Sequence, residues 1–214
     1  MSLFEEKDIM NMREYNKVKG YTYLEYCNYL QKKYGIGRSA YMFKNGNRNP
    51  KCSRTSDGLL AHHKYEDHAI MLGSKTHALA NPYEWQLPEN IVYCDYLEHL
   101  FLHILICEYP AKNKNKYDIV GIGGIINFIV PELNDVYSGW KANQKWRLKC
   151  HSLIINDKDV YLKLIKRFVT KCSNHPLFNK KCLLTSFNSM FGLWDKNNNK
   201  DIYKKIKSIV FWNA

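Results

Sequence analysis

The stretch ENIVYCDYLEHLFLH, residues 89–103, contains a short apolar strand followed directly by a helix. IVYC, residues 91–94, is the strand. Asp95 is suited to cap the helix, because its carboxylate can accept hydrogen bonds from backbone N–H groups of the first turn. Pro110 and the polar run KNKNK end the helix. The pattern predicts a strand–helix unit in the middle of the chain.

The predicted helix carries two histidines on one face. His99 and His103 are four residues apart, so their side chains lie one turn apart. An apolar stripe lies roughly opposite and consists of Leu97, Leu100, Phe101 and Ile104. Two neutral imidazoles at this spacing can bind one divalent cation, as they do on HExxH helices. The helix is therefore expected to face a core on one side and a metal ion on the other.

A second strand, GLLAHH, is predicted upstream and ends at His62 and His63. Successive strand residues point to opposite faces, so one histidine can bind the metal while its neighbour acts as a general base. The residues alone leave open which histidine has which role. They also leave open whether one of Glu66, Asp67 and His68 joins the metal shell, and whether Glu98 orients a ligand.

The order AHH … ENIVYCDYLEHLFLH resembles the ββα-metal fold of HNH endonucleases, the His-Me finger nucleases. The spacing of nine and then four residues after Asn90 is similar to that of colicin-type DNase domains. The resemblance implies that His62, His99 and His103 bind the metal and that His63 activates water. It also implies that Asn90 holds the loop between the strands by side-chain to backbone hydrogen bonds. The resemblance covers less than a quarter of the chain. The gap of 27 residues from His63 to Asn90 is longer than in compact members of the family, and no CxxC pairs flank the motif.

The chemistry implied is hydrolysis of phosphodiester bonds in DNA or RNA. The expected cofactor is one divalent metal ion: three imidazoles suit Mn²⁺, Zn²⁺ or Ni²⁺, and Mg²⁺ fits if the shell includes water or substrate oxygens. Small proteins of this type often come from phages or mobile elements. The resemblance thus extends to defence or counter-defence, such as anti-CRISPR cleavage of guide RNA. The alternative is a catalytically inactive protein that binds nucleic acid or a ribonucleoprotein and has a structural metal site.

The positive charge is concentrated in the last third of the chain. The formal net charge is +12, and residues 141–214 contain 16 Lys and Arg residues against four Asp residues. Such asymmetry indicates a polyanionic partner, since phosphate contacts dominate affinity for nucleic acid. The predicted nucleic-acid contacts are Arg54, Lys64, Lys145, Arg147, Lys149, Lys163, Lys166 and Arg167.

The expected fold class is α+β. A ββα-metal nuclease core at residues 51–110 would lie between a helical region at 1–50 and a helical, strongly basic region at 111–214, with one common domain as the alternative. The apolar segment 121–130 is expected to pack on the core, with Pro131 marking a break. Seven cysteines without a CxxC pair predict reduced thiols in a cytoplasmic protein. No apolar stretch is long enough for a membrane span, and no secretory signal is expected.

Overall fold

The structure, a computed structural model, describes residues 9–187 and 200–211. The remaining residues, 1–8, 188–199 and 212–214, include parts of the predicted terminal regions and lie outside the described residues. The strands are β1 (Leu60–His63) and β2 (Ile91–Cys94). The helices are α1 (Met12–Val18), α2 (Tyr23–Tyr34), α3 (Lys75–Leu79), α4 (Tyr96–Glu108), α5 (Ile122–Gly124), α6 (Val130–Tyr137), α7 (Lys145–Ile154), α8 (Lys158–Cys172) and α9 (Lys200–Phe211). The α+β class is confirmed in this mainly helical form.

The two strands form a small antiparallel sheet. His62 is paired with Val92 and His63 with Ile91, so the two histidines lie at the end of β1 where β2 begins. Helix α2 packs against β2, and α4 packs against both strands. All four residues of β2 are consequently buried. A two-stranded sheet alone is marginally stable, and these helices supply the apolar cover that it needs.

Helix α4 begins at a complete capping box. The carboxylate of Asp95 accepts hydrogen bonds from the N–H groups of Leu97 and Glu98, and Glu98 Oε2 accepts one from the N–H of Asp95. Glu98 Oε1 also accepts from Lys33 Nζ at 2.7 Å. Burial, together with the nearby Asp95, raises the pKa of Glu98 to about 8. Glu98 therefore anchors the helix start to α2, and it does not take the role of orienting a metal ligand that the sequence left open.

Helix α4 is the centre of the hydrophobic core. Ten of its 13 residues are buried, because α2, α7, α8 and the segment at 122–129 surround it. The sequence pattern predicts one apolar stripe, whereas the structure covers the helix on almost every side. Since α4 and α8 share this core, the predicted nuclease core and the basic C-terminal region pack directly on each other.

The segment after residue 120 is helical, and the predicted break at Pro131 is wrong. Helix α5 passes into a π-helical turn at Ile125–Ile129 and then into α6. Pro131 lies in the first turn of α6, directly after the π turn, where a proline is tolerated. The apolar segment packs on α4, as expected.

Two further expectations concern the chain as a whole. All seven cysteines are free thiols, and five of them are buried, as predicted. Within the described ranges, none of the helices combines the length and the apolarity that crossing a bilayer requires.

Candidate metal centre

Three histidines and one glutamate converge between β1 and α4. His62 points from β1 toward α4, where its ring centroid lies 5.2 Å from those of both His99 and His103. Glu66 reaches the same point from the 3-10 turn Lys64–Asp67, directly after β1. One ligand atom from each of the four residues lies within 4.8 Å of the other three. The sequence predicts the three imidazoles as ligands and leaves Glu66 as one of three candidates; the structure brings Glu66 to them.

The spacing of these atoms suits a shared cation. Nε2 of His103 lies 3.2 Å from Nε2 of His99 and 3.3 Å from Oε2 of Glu66. Nδ1 of His62 lies 3.5 Å from the same Glu66 oxygen. Two nitrogens bound to one zinc at ~2.0–2.1 Å are about 2.8–3.4 Å apart for bond angles between right and tetrahedral. These three pairs of ligand atoms therefore lie close to the separation that a common metal ion requires.

Hydrogen bonds on the outer side fix how two of the imidazoles are oriented. His103 Nδ1 donates to the carbonyl oxygen of Gly121 at 3.0 Å, which leaves its Nε2 lone pair facing the cluster. The Tyr23 hydroxyl lies 2.8 Å from His62 Nε2 and can donate to the carbonyl oxygen of Lys64. It then accepts the His62 Nε2 proton, so Nδ1 is the free lone pair. Such outer partners hold metal-binding histidines in the required tautomer.

Two ring nitrogens in the cluster lack hydrogen bonds. Nδ1 of His62 and Nδ1 of His99 are buried and have no hydrogen-bond partner within the described part of the chain. A buried polar atom without a partner is costly, at roughly 1–3 kcal/mol. For His62, a cation bound at Nδ1 would remove this cost. The donor set of three imidazole nitrogens and a carboxylate oxygen therefore fits a divalent metal ion.

The electrostatics of the cluster also favour a cation. Burial lowers the pKa of His62 to about 3 and that of His99 well below its ordinary value. Burial alone would raise the pKa of Glu66, but the facing imidazoles of His62, His103 and His63 lower it well below its usual range. At neutral pH, His62 and His99 are therefore neutral and Glu66 is ionised, so a metal ion needs to displace no proton from His62 or Glu66.

Two glycines allow His103 to take its place. Gly121 has φ of +83°, a left-handed conformation that glycine adopts readily, and this conformation presents its carbonyl to His103. At Gly124, a Cβ atom would lie 2.6 Å from His103 Nδ1 and closer still to Cε1. Both glycines come from GIGG, which the sequence identifies only as a packed apolar segment. Nothing in its local pattern indicates contact with a histidine 18 residues upstream.

His63 points to the opposite face of β1. Its Nε2 lies 3.0 Å from Oε1 of Gln86, whose amide nitrogen donates to the carbonyl of Leu72. Gln86 thus accepts the Nε2 proton, and Nδ1 is left as the basic nitrogen, 3.5 Å from Oε1 of Glu66. His63 is 1% exposed and packs on the Tyr41 ring at a centroid distance of 4.4 Å. Of the adjacent histidines, His62 is therefore the one that faces His99 and His103.

Asn90 lies at the end of the long connection between the strands. Its Nδ2 donates to the carbonyl of Glu84 at 2.8 Å, so it ties the start of β2 to the turn that contains Gln86. This is the type of side-chain to backbone hydrogen bond that the resemblance implies. Asn90 does not belong to the metal cluster, and its connection to His63 runs through the loop and Gln86.

A cleft of about 700 Å³ opens beside the cluster. Leu60 and Ala61 of β1 line it together with His99, the one member of the cluster that reaches it. Residues 48–50 and 52–55 form another wall, and Trp146 of α7 also lines the cleft. The candidate metal centre is therefore recessed, with His99 between it and the open space.

The predicted nucleic-acid contacts separate into two groups. The three arginines are engaged in ion pairs: Arg54 with Asp57, Arg147 with Glu132, and Arg167 with Glu108. Arg147 and Arg167 each pair with a glutamate and hold helices together, whereas Arg54 shares Asp57 with Arg38. Lys64 donates to Asn28 and Gln31. The remaining predicted contacts have exposed side chains on α7 and α8, and they are Lys145, Lys149, Lys163 and Lys166.

Comparison of the chain with family models, with curated proteins and with solved structures finds no match. The function of the chain is therefore inferred from the geometry of the residues described above.

Proposed function

We propose that this chain is a metal-dependent nuclease of the HNH type that hydrolyses phosphodiester bonds in nucleic acid. In this proposal β1, β2 and α4 correspond to the ββα-metal core. The observation that carries the proposal is the convergence of His62, Glu66, His99 and His103 on one point, with His63 on the far side of the Glu66 carboxylate. The order of strand, strand and helix is the same as in the family that the sequence resembles.

The proposed roles follow from the positions of the side chains. His62, Glu66, His99 and His103 hold the metal ion, which when bound polarises the scissile phosphate and stabilises the leaving oxygen. His63 accepts a proton from the attacking water at Nδ1, because Gln86 occupies its Nε2. Glu66 spans the two histidines of β1, with one oxygen facing His62 and the other facing His63.

The base has to become accessible for this mechanism. His63 is buried behind Tyr41, so the proposal requires the Tyr41 ring to move when substrate binds. Gln86 and Asn90 act as positioning residues: Gln86 holds the imidazole of His63, and Asn90 holds the turn that carries Gln86. Loss of either would lower kcat without removing the metal.

The number of ligands decides which metal supports catalysis. Zinc sites are usually tetrahedral, and four protein ligands close such a site, which is typical of structural zinc. An octahedral ion such as Mn²⁺, Mg²⁺ or Ni²⁺ would keep two positions for water and phosphate. The proposed nuclease therefore works with an octahedral ion, and Zn²⁺ inhibits it.

The number of protein ligands also supports a second candidate function. If a four-coordinate zinc is the resident ion, the protein is a catalytically inactive module that binds nucleic acid or a ribonucleoprotein through its exposed lysines.

The biological setting that we propose for the nuclease is phage or mobile-element defence or counter-defence, including cleavage of guide RNA. That setting follows from the resemblance and not from the site. A cytoplasmic location belongs to the same proposal.

A cleavage assay separates the two candidates. Supercoiled plasmid and structured RNA are incubated with the wild-type chain in Mg²⁺, Mn²⁺, Ni²⁺ or Zn²⁺, and elemental analysis gives the metal content. We expect cutting with an octahedral ion, loss of cutting in His63→Ala with the metal retained, and loss of the metal in His103→Ala. His77→Ala, on α3, is the matched control. Wild-type protein that is fully loaded with Mn²⁺ and cuts neither substrate would refute the nuclease proposal.

A further inference from the structure

The cleft beside the metal cluster contains an arginine that the sequence analysis did not single out. Arg48 lines the cleft, its side chain is exposed, and its guanidinium lies over the Tyr41 ring at 5.3 Å. Among the described residues, no carboxylate lies within ion-pairing distance of Arg48. Arg54 lines the same cleft but is paired with Asp57. Asp57 also pairs with Arg38, so this wall of the cleft is positively charged, and Arg48 is its exposed arginine.

An exposed aromatic ring lies on another wall. Trp146 is 44% exposed although it is one of the largest apolar side chains in the protein, and it lines the cleft from α7. Lys145 precedes it, and Lys149 lies one turn further along the same helix, where both side chains are exposed. A ring flanked by cations is the arrangement that proteins use to stack a base while the backbone phosphates stay near positive charge.

The helix that presents Trp146 is held firmly. Arg147 pairs with Glu132 of α6 through both guanidinium arms, and His151 Nε2 lies 2.6 Å from the same carboxylate. Helix α7 also packs against the 3-10 turn Thr55–Asp57 on the cleft side. The position of Trp146 on α7 is therefore held relative to the turn Thr55–Asp57 on the cleft side.

We infer that this cleft binds single-stranded nucleic acid, with an unpaired base stacked on Trp146 and a backbone phosphate at Arg48. In a duplex each base is paired and stacked, so no base face is free for Trp146 unless a nucleotide is flipped out. A single strand offers free base faces at every position. The inference deepens the proposed function and rests on it, because it names the strand that is delivered to the metal at His99.

The test measures binding without cleavage. Fluorescence anisotropy in EDTA follows a labelled single-stranded oligonucleotide, with the duplex of the same sequence as competitor. We expect Trp146→Ala and Arg48→Ala each to weaken single-strand binding by about five-fold or more. Trp146→Phe, which keeps an aromatic face, should lie between Trp146→Ala and the wild type. Phe128→Ala and Arg13→Ala remove an exposed ring and an exposed charge elsewhere, and they should bind as the wild type does.

The outcomes test the inference about the cleft separately from the nuclease proposal. Wild-type affinity in both Trp146→Ala and Arg48→Ala, or equal competition by the duplex, would overturn the inference about the cleft. A chain that binds single strands through these residues but cuts nothing in any metal supports the cleft and rejects the nuclease. A chain that cuts duplex equally well with and without Trp146 supports the nuclease and rejects the cleft.

Discussion

Gly124 gives the sharpest test of the candidate metal centre. The change is Gly124→Ala, which adds one methyl group at a helical position with φ of −61°. Alanine is favoured over glycine in a helix by about 1 kcal/mol, so the backbone itself gains stability. The new Cβ, however, would lie 2.6 Å from His103 Nδ1, about 0.8 Å short of the 3.4 Å at which ordinary contact begins.

The size of the effect follows from that distance. His103 is buried against Gly124 and cannot rotate freely into solvent, so its ring has to shift by most of this 0.8 Å. Metal sites tolerate about 0.5 Å of ligand displacement. The shift would also stretch the hydrogen bond from His103 to Gly121, and loss of such an outer partner typically lowers metal affinity by about 10- to 100-fold. We therefore expect the affinity for Mn²⁺ or Zn²⁺ to fall at least about ten-fold.

Gly123 provides the matched control one position earlier. A Cβ at Gly123 would meet only Asn127 at 3.9 Å, so Gly123→Ala makes the same chemical change without touching His103. Affinity is measured by competition with a chromophoric chelator, and thermal unfolding of the metal-free proteins confirms that both variants fold. Equal metal affinity in Gly124→Ala and Gly123→Ala would refute the assignment of His103 as a ligand.

Three further predictions concern the same site and its support. In metal-free protein, acidification from pH 7 to pH 5 should lower the free energy of unfolding by about 2 kcal/mol through His62 alone. The reason is that the His62 imidazole binds a proton near pH 6.5 in the unfolded chain but only near pH 3 in the folded chain. Urea titrations of wild type and His62→Gln measure the free energy of unfolding at each pH. The same pH dependence in both proteins would contradict the prediction. Glu66→Gln should weaken metal binding at least about ten-fold, whereas Glu84→Gln, at an exposed carboxylate, should not; calorimetric titration with Mn²⁺ compares them. Arg147→Ala leaves the buried Glu132 carboxylate with His151 as its remaining partner and should destabilise the fold by roughly 1.5–3 kcal/mol, whereas Lys145→Ala should leave the unfolding midpoint unchanged.

Local patterns in the sequence predict the elements that build the site. The cap at Asp95, the helix at 96–108 and the two strands all follow from short-range signals, namely turn formers, apolar runs and helical spacing. The spacing of His99 and His103 places them on one helix face without any tertiary information. The expected break at Pro131 fails, because the π turn before it depends on packing against α4 and not on local propensity.

The partners of the imidazoles depend on the tertiary structure. Tyr23, Gln86 and Gly121 come from three separate segments, and each contacts a site histidine only because the chain folds back on β1 and α4. A hydrogen bond between residues far apart in the chain leaves no periodic signal in the sequence. The charge pattern of the sequence wrongly predicts free arginines for a related reason. Composition counts Arg147 and Arg167 as free cations, whereas folding pairs them with buried glutamates.

By itself, the sequence determined which residue types lie one helical turn or one strand step apart, since these spacings are set by backbone geometry. Only the tertiary structure decided that His62 rather than His63 faces α4 and that Glu66 lies in the metal cluster. It also decided that Arg48 stays without a carboxylate partner beside the cleft. Those outcomes depend on which elements pack together, because burial and opposing charges act between segments that are distant along the chain.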